Sequence, residues 1–306
     1  MSARGEFRVT AVQATPAYLD REATLDIVAD QIAEAGADNS NLVVFPESFV
    51  PGYPDWVWRM TAAQDGEWYQ RFHDQAVDID GPHLDKARAA AEAAGVWVAL
   101  GITERTASGT LYNAVVYIDD RGEIAGLHRK LIPTAAERTV WANGQGPMLT
   151  VVDFGGVKVG SLIFWENYMP LARAALYEKG IDVLLAPTWD NSDEWVPTLR
   201  HIAKEGRVFV VGVTAYIRGC DVPTDLPRAA ELYDDGDAAL SYGNTSIVAP
   251  GGELLEGPLL GESGTVSATL DLGLIASGRR AFDPVGHYAR PDVLQLTINT
   301  NGDNNE

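Results

Sequence analysis

The sequence has little cysteine and little positive charge, and both shortages exclude whole classes of protein. Cys220 is the one cysteine in 306 residues, so neither an internal disulfide nor a cysteine-cluster metal site can form. Twenty-three basic residues stand against forty-three acidic ones, and the net charge of −20 repels nucleic acid and anionic lipid over most of the surface. The five histidines include no short-spaced ligand pair. We predict no metal and no cofactor.

Long hydrophobic runs are also missing, although 46% of the residues are hydrophobic. No run is long enough to cross a membrane, and the opening MSARGEFRVT lacks the apolar stretch of a secretion signal. We therefore expect a cytoplasmic protein. Because no linker rich in proline, glycine or serine divides the chain, we expect a single domain around a large core.

Short apolar runs alternate with helical patterns along the chain. Asp20 is a candidate helix cap, since Leu25, Val28 and Ile32 follow it at helical spacing. Turn signals at 119–122, 155–156 and 251–252 indicate three hairpins, the last between apolar runs at 246–249 and 254–255. Further helices are expected at 64–76, 83–94, 170–179 and 195–206. Strands are expected at 9–14, 42–45, 96–104, 112–118, 124–128, 149–154, 157–164, 183–186, 208–214, 246–249 and 266–272. Alternation with inserted hairpins predicts mixed sheets covered by helices, not a simple barrel.

Charged residues stand at the ends of three predicted strands, where open α/β folds gather their chemistry. Glu47 follows the strand that stops at Pro46, Lys130 ends the basic triplet that starts at His128, and Glu166 follows a third strand. A base, a cation and a third strand end in one pocket would suit covalent catalysis. Taken singly, Glu47 is better explained as a surface carboxylate and Lys130 as a solvated ion-pair partner.

Five sequence segments, in order from about Phe7 to about Leu296, together resemble the nitrilase family, particularly its bacterial nitrile-hydrolysing branch. They are VVFPESFVPGYPDW, HRKLIPTAAERTVWANGQG, GSLIFWENYMPLARAAL, APTWDNSDEWVPTLRHIAKEGRVFVV and VGHYARPDVLQL. The resemblance implies an α-β-β-α sandwich, a single α/β domain over residues 7–296, followed by a polar tail over 297–306.

The resemblance also implies roles for four positions. Glu47 maps to the general base, Lys130 to the lysine that stabilises developing charge, and Glu137 to a second glutamate that orients both. The family's nucleophile is a cysteine directly before WEN, and that position is Phe164 here. A phenyl ring cannot attack a nitrile carbon, so we expect this chain to be inactive or severely impaired.

No nearby residue is a good replacement for the missing thiol. Ser161 would face the opposite side of a strand extended to Phe164, and Cys220 lies in a polar, loop-like stretch. The larger ring at Phe164 should also occupy substrate volume. An altered active enzyme, natural loss of the reaction and a misnamed residue all stay open, and the intact surroundings favour the first.

The resemblance implies a substrate pocket formed by Tyr53, Trp165, Glu166, Thr188 and Trp189. The backbone N–H of Trp165 would be an oxyanion or imidate donor, whereas its indole is equally well explained by core packing. His201 and Glu205 are spaced as half a metal site, but a hydrogen-bonded pair on a helix surface explains them better.

The expected reaction is hydrolysis of a nitrile to a carboxylic acid and ammonia. An amidase or carbamoylase of the same superfamily, and a non-catalytic scaffold or ligand-binding relative, are the alternatives. The resemblance further implies homo-oligomers, with dimers building larger or spiral assemblies through the tail segment AFDPVGHYARPDVLQL. The sequence does not reveal the nitrile's length, aromaticity or stereochemistry, or the oligomer's size.

Overall fold

The computed structural model describes residues 6–145 and 149–298, which form two sheets and seven α-helices. The predicted polar tail lies outside the described residues from position 299 onward. The strands are β1 (Glu6–Gln13), β2 (Leu42–Val44), β3 (Trp97–Arg105), β4 (Leu111–Ile118), β5 (Ile124–Arg129), β6 (Val151–Phe154), β7 (Val157–Ser161), β8 (Val183–Thr188), β9 (Phe209–Thr214), β10 (Tyr216–Arg218), β11 (Ala239–Val248), β12 (Leu254–Leu260) and β13 (Gly264–Asp271). The helices are α1 (Arg21–Ala37), α2 (Gly66–Gln75), α3 (Asp85–Ala94), α4 (Pro170–Glu178), α5 (Trp195–Gly206), α6 (Ala229–Leu232) and α7 (Gly273–Ala281).

Each sheet has a parallel centre with antiparallel strands at its edges. The first sheet runs β13-β1-β2-β3-β4-β5, and the second runs β10-β11-β9-β8-β7-β6 with β12 paired to β11. Strands β1, β2 and β3 are parallel, as are β7, β8 and β9. The predicted hairpins are confirmed as β4-β5, β6-β7 and β11-β12. The chain reverses direction from β3 to β4 and again from β4 to β5. Strands β3 and β5 therefore run in the same direction and end at the same edge of their sheet.

The two sheets pack face to face around an apolar core, and helices cover their outer faces. Val9 on β1 and Val183 on β8 are both fully buried in that shared core. Helices α1 and α3 cover the first sheet, while α4 and α5 cover the second. This arrangement confirms the predicted α-β-β-α sandwich. Such a fold leaves both sheets solvent-free, which explains the nearly continuous apolar runs of the central strands.

The first helix begins where its sequence signals place it. The side chain of Asp20 accepts a hydrogen bond from the N–H of Ala23 at 3.0 Å, which confirms the predicted N-cap. Leu25, Val28 and Ile32 are buried against the first sheet, as their spacing predicts. Among the described residues, no helix is long and apolar enough to cross a membrane.

Two expectations about strands are wrong. The strand predicted over 157–164 ends at Ser161, and Phe164 begins a short 3-10 helix instead. The period-two argument that separated Ser161 from Phe164 therefore does not apply. The chain after residue 238 also contains longer strands than the short apolar runs predicted. The first positions of β11 are exposed or half-buried, no position of β12 is buried, and the two strands include glycine and proline, so an apolar run does not mark their full length.

Candidate active site

Lys130 lies between two carboxylates, and all three side chains are buried. Its Nζ donates to Glu47 Oε1 and to Glu137 Oε2, each at 2.7 Å. Both ion pairs are fully shielded from solvent at the side chains. The structure thus brings together three of the four positions singled out for catalysis, although Glu47 is 83 residues from Lys130 along the chain.

Local turns after strand ends place these groups. Glu47 follows β2, and Asn113 in the buried strand β4 donates its Nδ2 to Glu47 Oε1 at 2.7 Å. Glu137 lies in a 3-10 turn whose capping box is formed with Thr134, whose backbone N–H donates to Glu137 Oε2 at 2.6 Å. Sequence reasoning missed Asn113, although a polar amide in an otherwise apolar buried strand was a usable signal.

Tyr53 contacts the carboxylate cluster rather than only shaping a pocket. Its hydroxyl donates to Glu137 Oε1 at 2.7 Å and accepts from Trp58 Nε1 at 3.1 Å. Its ring stacks on Trp189, with centroids 4.2 Å apart and planes 8° from parallel. Trp58, which the sequence argument did not single out, is therefore linked to Glu137 through one hydroxyl group.

Phe164 covers the lysine from the side of the second sheet. The Lys130 Nζ lies 4.8 Å from the centre of the Phe164 ring, and only 7% of Phe164 is exposed. Such a contact is a cation–π interaction. The fourth singled-out position therefore also lies at the cluster, but it presents a ring and no nucleophilic atom.

Three turns of this site hold non-glycine residues in left-handed backbone conformations. The φ angles are 45° at Ser48, 44° at Ala135 and 51° at Phe164. Each such residue costs on the order of 1–2 kcal/mol, and strained residues of this kind cluster at functional sites. The turns that carry Glu47, Glu137 and Phe164 are thus held in place by the packing around them.

Glu166 supports the turn that carries Phe164. Its Oε2 accepts from the backbone N–H of Ile163 at 2.6 Å, and its Oε1 accepts from that of Leu131 at 2.7 Å. His128 Nε2 lies 3.0 Å from the same carboxylate. With both oxygens engaged by buried partners, Glu166 joins the end of β5 to the turn at Phe164. Glu166, which was predicted as a pocket residue, is not among the residues that line the cavity beside Phe164.

A cavity of about 500 Å³ opens beside Phe164. Its lining residues are Asp55, Trp58, Phe164, Trp165, Trp189, Asp190, Asn191 and Ser192. Of the predicted pocket residues, Trp165 and Trp189 line it, whereas Thr188 is buried at the end of β8, where its Oγ1 accepts from the N–H of Asp190 at 2.9 Å. Trp165 is 52% exposed, so the core-packing alternative for its indole is wrong.

Burial and neighbouring charges set the protonation of the cluster. Burial raises the pKa of Glu47 to about 7, against the opposing charge of Lys130. For Lys130 the burial effect lowers the pKa, but the two carboxylates outweigh it and hold the pKa above its usual value. Burial and the charge of Glu137 raise the pKa of Tyr53 well above its ordinary range, so its hydroxyl stays a donor. Glu47 Oε2 is buried without a hydrogen-bond partner among the described residues.

The other candidate nucleophiles and ligands lie elsewhere or are engaged. Cys220 is a free, exposed cysteine. Ser161 is buried, and its Oγ accepts from the hydroxyl of Tyr117 at 2.7 Å. His201 Nε2 lies 3.3 Å from Glu205 on α5, as expected for a helix-surface pair. Within the described part of the chain, no group of three or more His, Cys, Asp or Glu side chains could hold a metal ion.

Comparison with known proteins identifies the family. Residues 8–280 match the sequence profile of the carbon-nitrogen hydrolases. The chain belongs to the carbon-nitrogen hydrolase family. This carbon-nitrogen hydrolase is 40% identical over 299 residues to a bifunctional nitrilase/nitrile hydratase of Nicotiana tabacum, covering 95% of this chain and 85% of the relative. It is also 40% identical over 298 residues to an aliphatic nitrilase of Sinorhizobium fredii, covering 96% of each chain. The predicted resemblance to nitrilases is thereby confirmed.

The fold of this carbon-nitrogen hydrolase matches solved structures of its superfamily. A Saccharomyces cerevisiae member of branch 10 of the nitrilase superfamily superimposes with a TM-score of 0.72. The match covers 93% of this chain and 97% of the yeast protein, at 19% sequence identity. This chain and the yeast protein therefore share one fold. The enzymes of the carbon-nitrogen hydrolase family act on carbon–nitrogen bonds other than peptide bonds.

Proposed function

We propose that this chain is a nitrilase whose apparatus for nitrile hydrolysis is complete except for the nucleophile, which Phe164 replaces. The single observation that supports it best is the buried Glu47–Lys130–Glu137 cluster with Phe164 directly over the lysine. Nitrilase relatives at 40% identity support the nitrile as substrate. Without a thiol the chain as it stands does not turn over.

The geometry suits thiol chemistry once a cysteine stands at position 164. The thiol proton passes to Glu47, the sulfur bonds to the nitrile carbon, and the nitrile nitrogen gains a proton to give a thioimidate. Glu47 then assists addition of water, and ammonia leaves to give a thioester. A second water cleaves the thioester, which releases the carboxylic acid and restores the thiol. Overall, one nitrile and two waters give one acid and one ammonia.

Each buried group has a distinct part in this proposal. The unpartnered Glu47 Oε2 is the atom that accepts and returns protons, since Oε1 is occupied by Lys130 and Asn113. Lys130 keeps its positive charge and stabilises the negative charge that develops on nitrogen and then oxygen. Glu137 accepts a hydrogen bond from Lys130 and none from the residue at position 164. We therefore assign Glu137 the positioning of the lysine.

The experiment that tests this function compares ammonia release by the chain and by its Phe164→Cys variant. The panel contains aliphatic, aromatic and arylacetonitriles with the matching amides. We expect release from nitriles only with Phe164→Cys, and at least about a hundredfold loss when Glu47→Gln is added. Phe164→Ser is the matched control, because serine frees the same space as cysteine but supplies a weaker nucleophile.

Each outcome of that comparison separates the alternatives. Release from amides but not nitriles would replace the nitrilase by an amidase or carbamoylase of the same family. A folded Phe164→Cys variant that releases no ammonia from either class would reject hydrolysis. In that case a ligand-binding role, which the ring-filled site at Phe164 favours, would take its place.

We also propose that the protein associates with copies of itself. In the segment AFDPVGHYARPDVLQL, residues 281–296, which is the predicted interface, several large apolar side chains are exposed. Tyr288, Val293 and Leu294 are 62%, 64% and 76% exposed. Light scattering at micromolar concentration should give a mass above 33.0 kDa, and Val293→Asp with Leu294→Asp should lower it. A monomer in both cases would contradict the proposal. The cytoplasmic location stays a prediction, supported by the single free thiol.

A further inference from the structure

We propose that the cavity beside Phe164 takes the aromatic ring of an uncharged aryl or aryl-alkyl nitrile and excludes nitriles that carry a carboxylate. The assignment of a nitrile rests on the proposed function. The preference for an uncharged aromatic group stands on the cavity itself.

Indole and phenyl rings make up half of the residues that line this cavity. They are Trp58, Phe164, Trp165 and Trp189. Two of these rings are unusually open to solvent, Trp58 by 44% and Trp165 by 52%. Large exposed rings that surround a concavity mark a surface that gains from being covered. At about 500 Å³ the cavity has room for a substituted benzene ring.

The rings are held in fixed orientations before any ligand arrives. Trp189 is stacked on Tyr53, and Trp58 donates its Nε1 to the hydroxyl of the same tyrosine. Tyr53 is itself fixed by its bond to Glu137. Trp165 packs at an angle against Phe164, with centroids 5.5 Å apart. A rigid aromatic surface favours a flat ligand, because stacking then costs little additional ordering.

The charges around the cavity argue against anionic ligands. Among its described lining residues there is no lysine or arginine, whereas Asp55 and Asp190 are both present. Asp55 is paired with Arg59, so that arginine is not free to bind a carboxylate. Lys130 lies behind the Phe164 ring and is held by two glutamates. A ligand carboxylate would therefore lose water without gaining a cation, beside an aspartate.

The cavity adjoins the lysine cluster through the Phe164 ring. Because Phe164 both lines the cavity and covers Lys130 Nζ at 4.8 Å, removing the ring would open the cavity towards the lysine. A nitrile group on a short arm could then reach the lysine while its aromatic ring stays among the tryptophans. Among uncharged aromatic nitriles, this geometry favours those that carry the nitrile on a short alkyl arm.

The test measures binding by calorimetry to Phe164→Ala, which opens the site without supplying a thiol, so nothing is turned over. The reference probe is phenylacetonitrile. Cyclohexylacetonitrile keeps its ring size but has no aromatic face, and 4-(cyanomethyl)benzoate keeps the aromatic ring but adds a carboxylate. We expect phenylacetonitrile to bind about threefold or more tighter than the cyclohexyl compound, and the benzoate at least about tenfold more weakly.

Second variants locate the effect. In the Phe164→Ala background, Trp165→Leu should abolish the preference for the aromatic ring, and Trp165→Phe should retain most of it. Trp165 is the ring to change because its indole is exposed and takes no part in the hydrogen bonds to Glu137 described above. Tyr242→Leu, at an equally exposed ring outside the cavity, should change neither affinity.

Every result decides the inference, and its failure is distinguishable from failure of the proposed function. Equal or tighter binding of cyclohexylacetonitrile, equal binding of the benzoate, or no binding of any probe to folded Phe164→Ala would overturn it. An aromatic preference in binding with no ammonia release by Phe164→Cys would leave this inference and remove the nitrilase. Ammonia release by Phe164→Cys from aliphatic nitriles alone would support the nitrilase and overturn the preference for aromatic nitriles.

Discussion

Lys130 carries one positive charge between two buried carboxylates, and this imbalance decides which groups are ionised. One lysine cannot neutralise both Glu47 and Glu137, so their mutual repulsion adds to the cost of burial. Glu47 is the group whose pKa rises to about 7, and one of its oxygens is unpartnered. A carboxylate poised near neutral pH is suited to general base catalysis.

The raised pKa of Glu47 can be measured directly in this chain. Carbon-13 NMR of the side-chain carboxyls should show one glutamate that titrates near pH 7, and Glu47→Gln should remove it. Because the folded state holds this proton more tightly than the unfolded state, the free energy of unfolding should contain a term that falls as pH rises from about 4.5 to about 7. Titration of Glu47 at its ordinary pKa would contradict the prediction.

Tyr53 supplies one of the hydrogen bonds that a buried carboxylate needs. Tyr53→Phe removes the donor to Glu137 Oε1 while keeping the ring that stacks on Trp189. We expect the free energy of unfolding, measured by urea denaturation, to fall by about 2 kcal/mol, because a buried charge loses a partner. Tyr242→Phe, at an exposed ring outside the proposed oligomer interface, should change it by less than about 0.5 kcal/mol. Equal effects would argue against a specific role for the Tyr53 hydroxyl.

At the scale of elements, the close approach of β3 to the turn after β2 places Glu47. Gly101 on β3 lies against the backbone of that turn, and a Cβ there would overlap the carbonyl oxygen of Pro46 and lie 2.9 Å from the N of Ser48. The glycine is therefore required by space, not by an unusual backbone angle. The turn at Glu47 depends on a neighbouring strand that is distant in sequence.

Gly101→Ala should displace this turn. We expect the free energy of unfolding to fall by about 3 kcal/mol, since the obstructing atoms belong to the backbone and cannot rotate away. Gly160→Ala on β7 is the matched control, because its new Cβ would meet two side-chain ends, Leu176 Cδ2 at 3.2 Å and Ile181 Cγ2 at 3.3 Å, and would lie at ordinary contact distance, 3.5 Å, from the carbonyl oxygen of Thr150. It should cost less than about 1 kcal/mol. The same loss in both variants would rule out the specific clash.

For the whole molecule, the net charge of −20 makes self-repulsion a general term in stability. Added salt screens this repulsion, and it also weakens exposed ion pairs such as Lys86 with Asp26, which contribute little to stability. With nearly twice as many acidic as basic residues, repulsion is the larger of the two effects.

The midpoint of thermal unfolding should therefore rise by several degrees between about 10 mM and about 300 mM sodium chloride. Scanning calorimetry at constant pH measures it, with an equal osmolarity of a neutral sugar as the control. A midpoint that falls with salt would mean that surface ion pairs outweigh the net charge.

The sequence by itself determined the features that depend on neighbours in the chain. The cap at Asp20, the buried stripe on α1 and the three hairpins arise from spacing and turn residues, which act locally. The ordered family segments were enough to predict the sandwich, the family and the four positions at the lysine cluster. They could not predict that β7 ends at Ser161, because the residues after it are as apolar as the strand.

Only the tertiary structure decided the contacts that join distant segments. Glu47 and Tyr53 lie 83 and 84 residues from their partners Lys130 and Glu137, and the aromatic cavity combines rings from three separate loops. The bonds of Asn113 to Glu47 and of the Leu131 backbone N–H to Glu166 likewise join segments that are distant in the sequence. Local spacing carries no information on such pairs, because they form only when two sheets and their loops pack together.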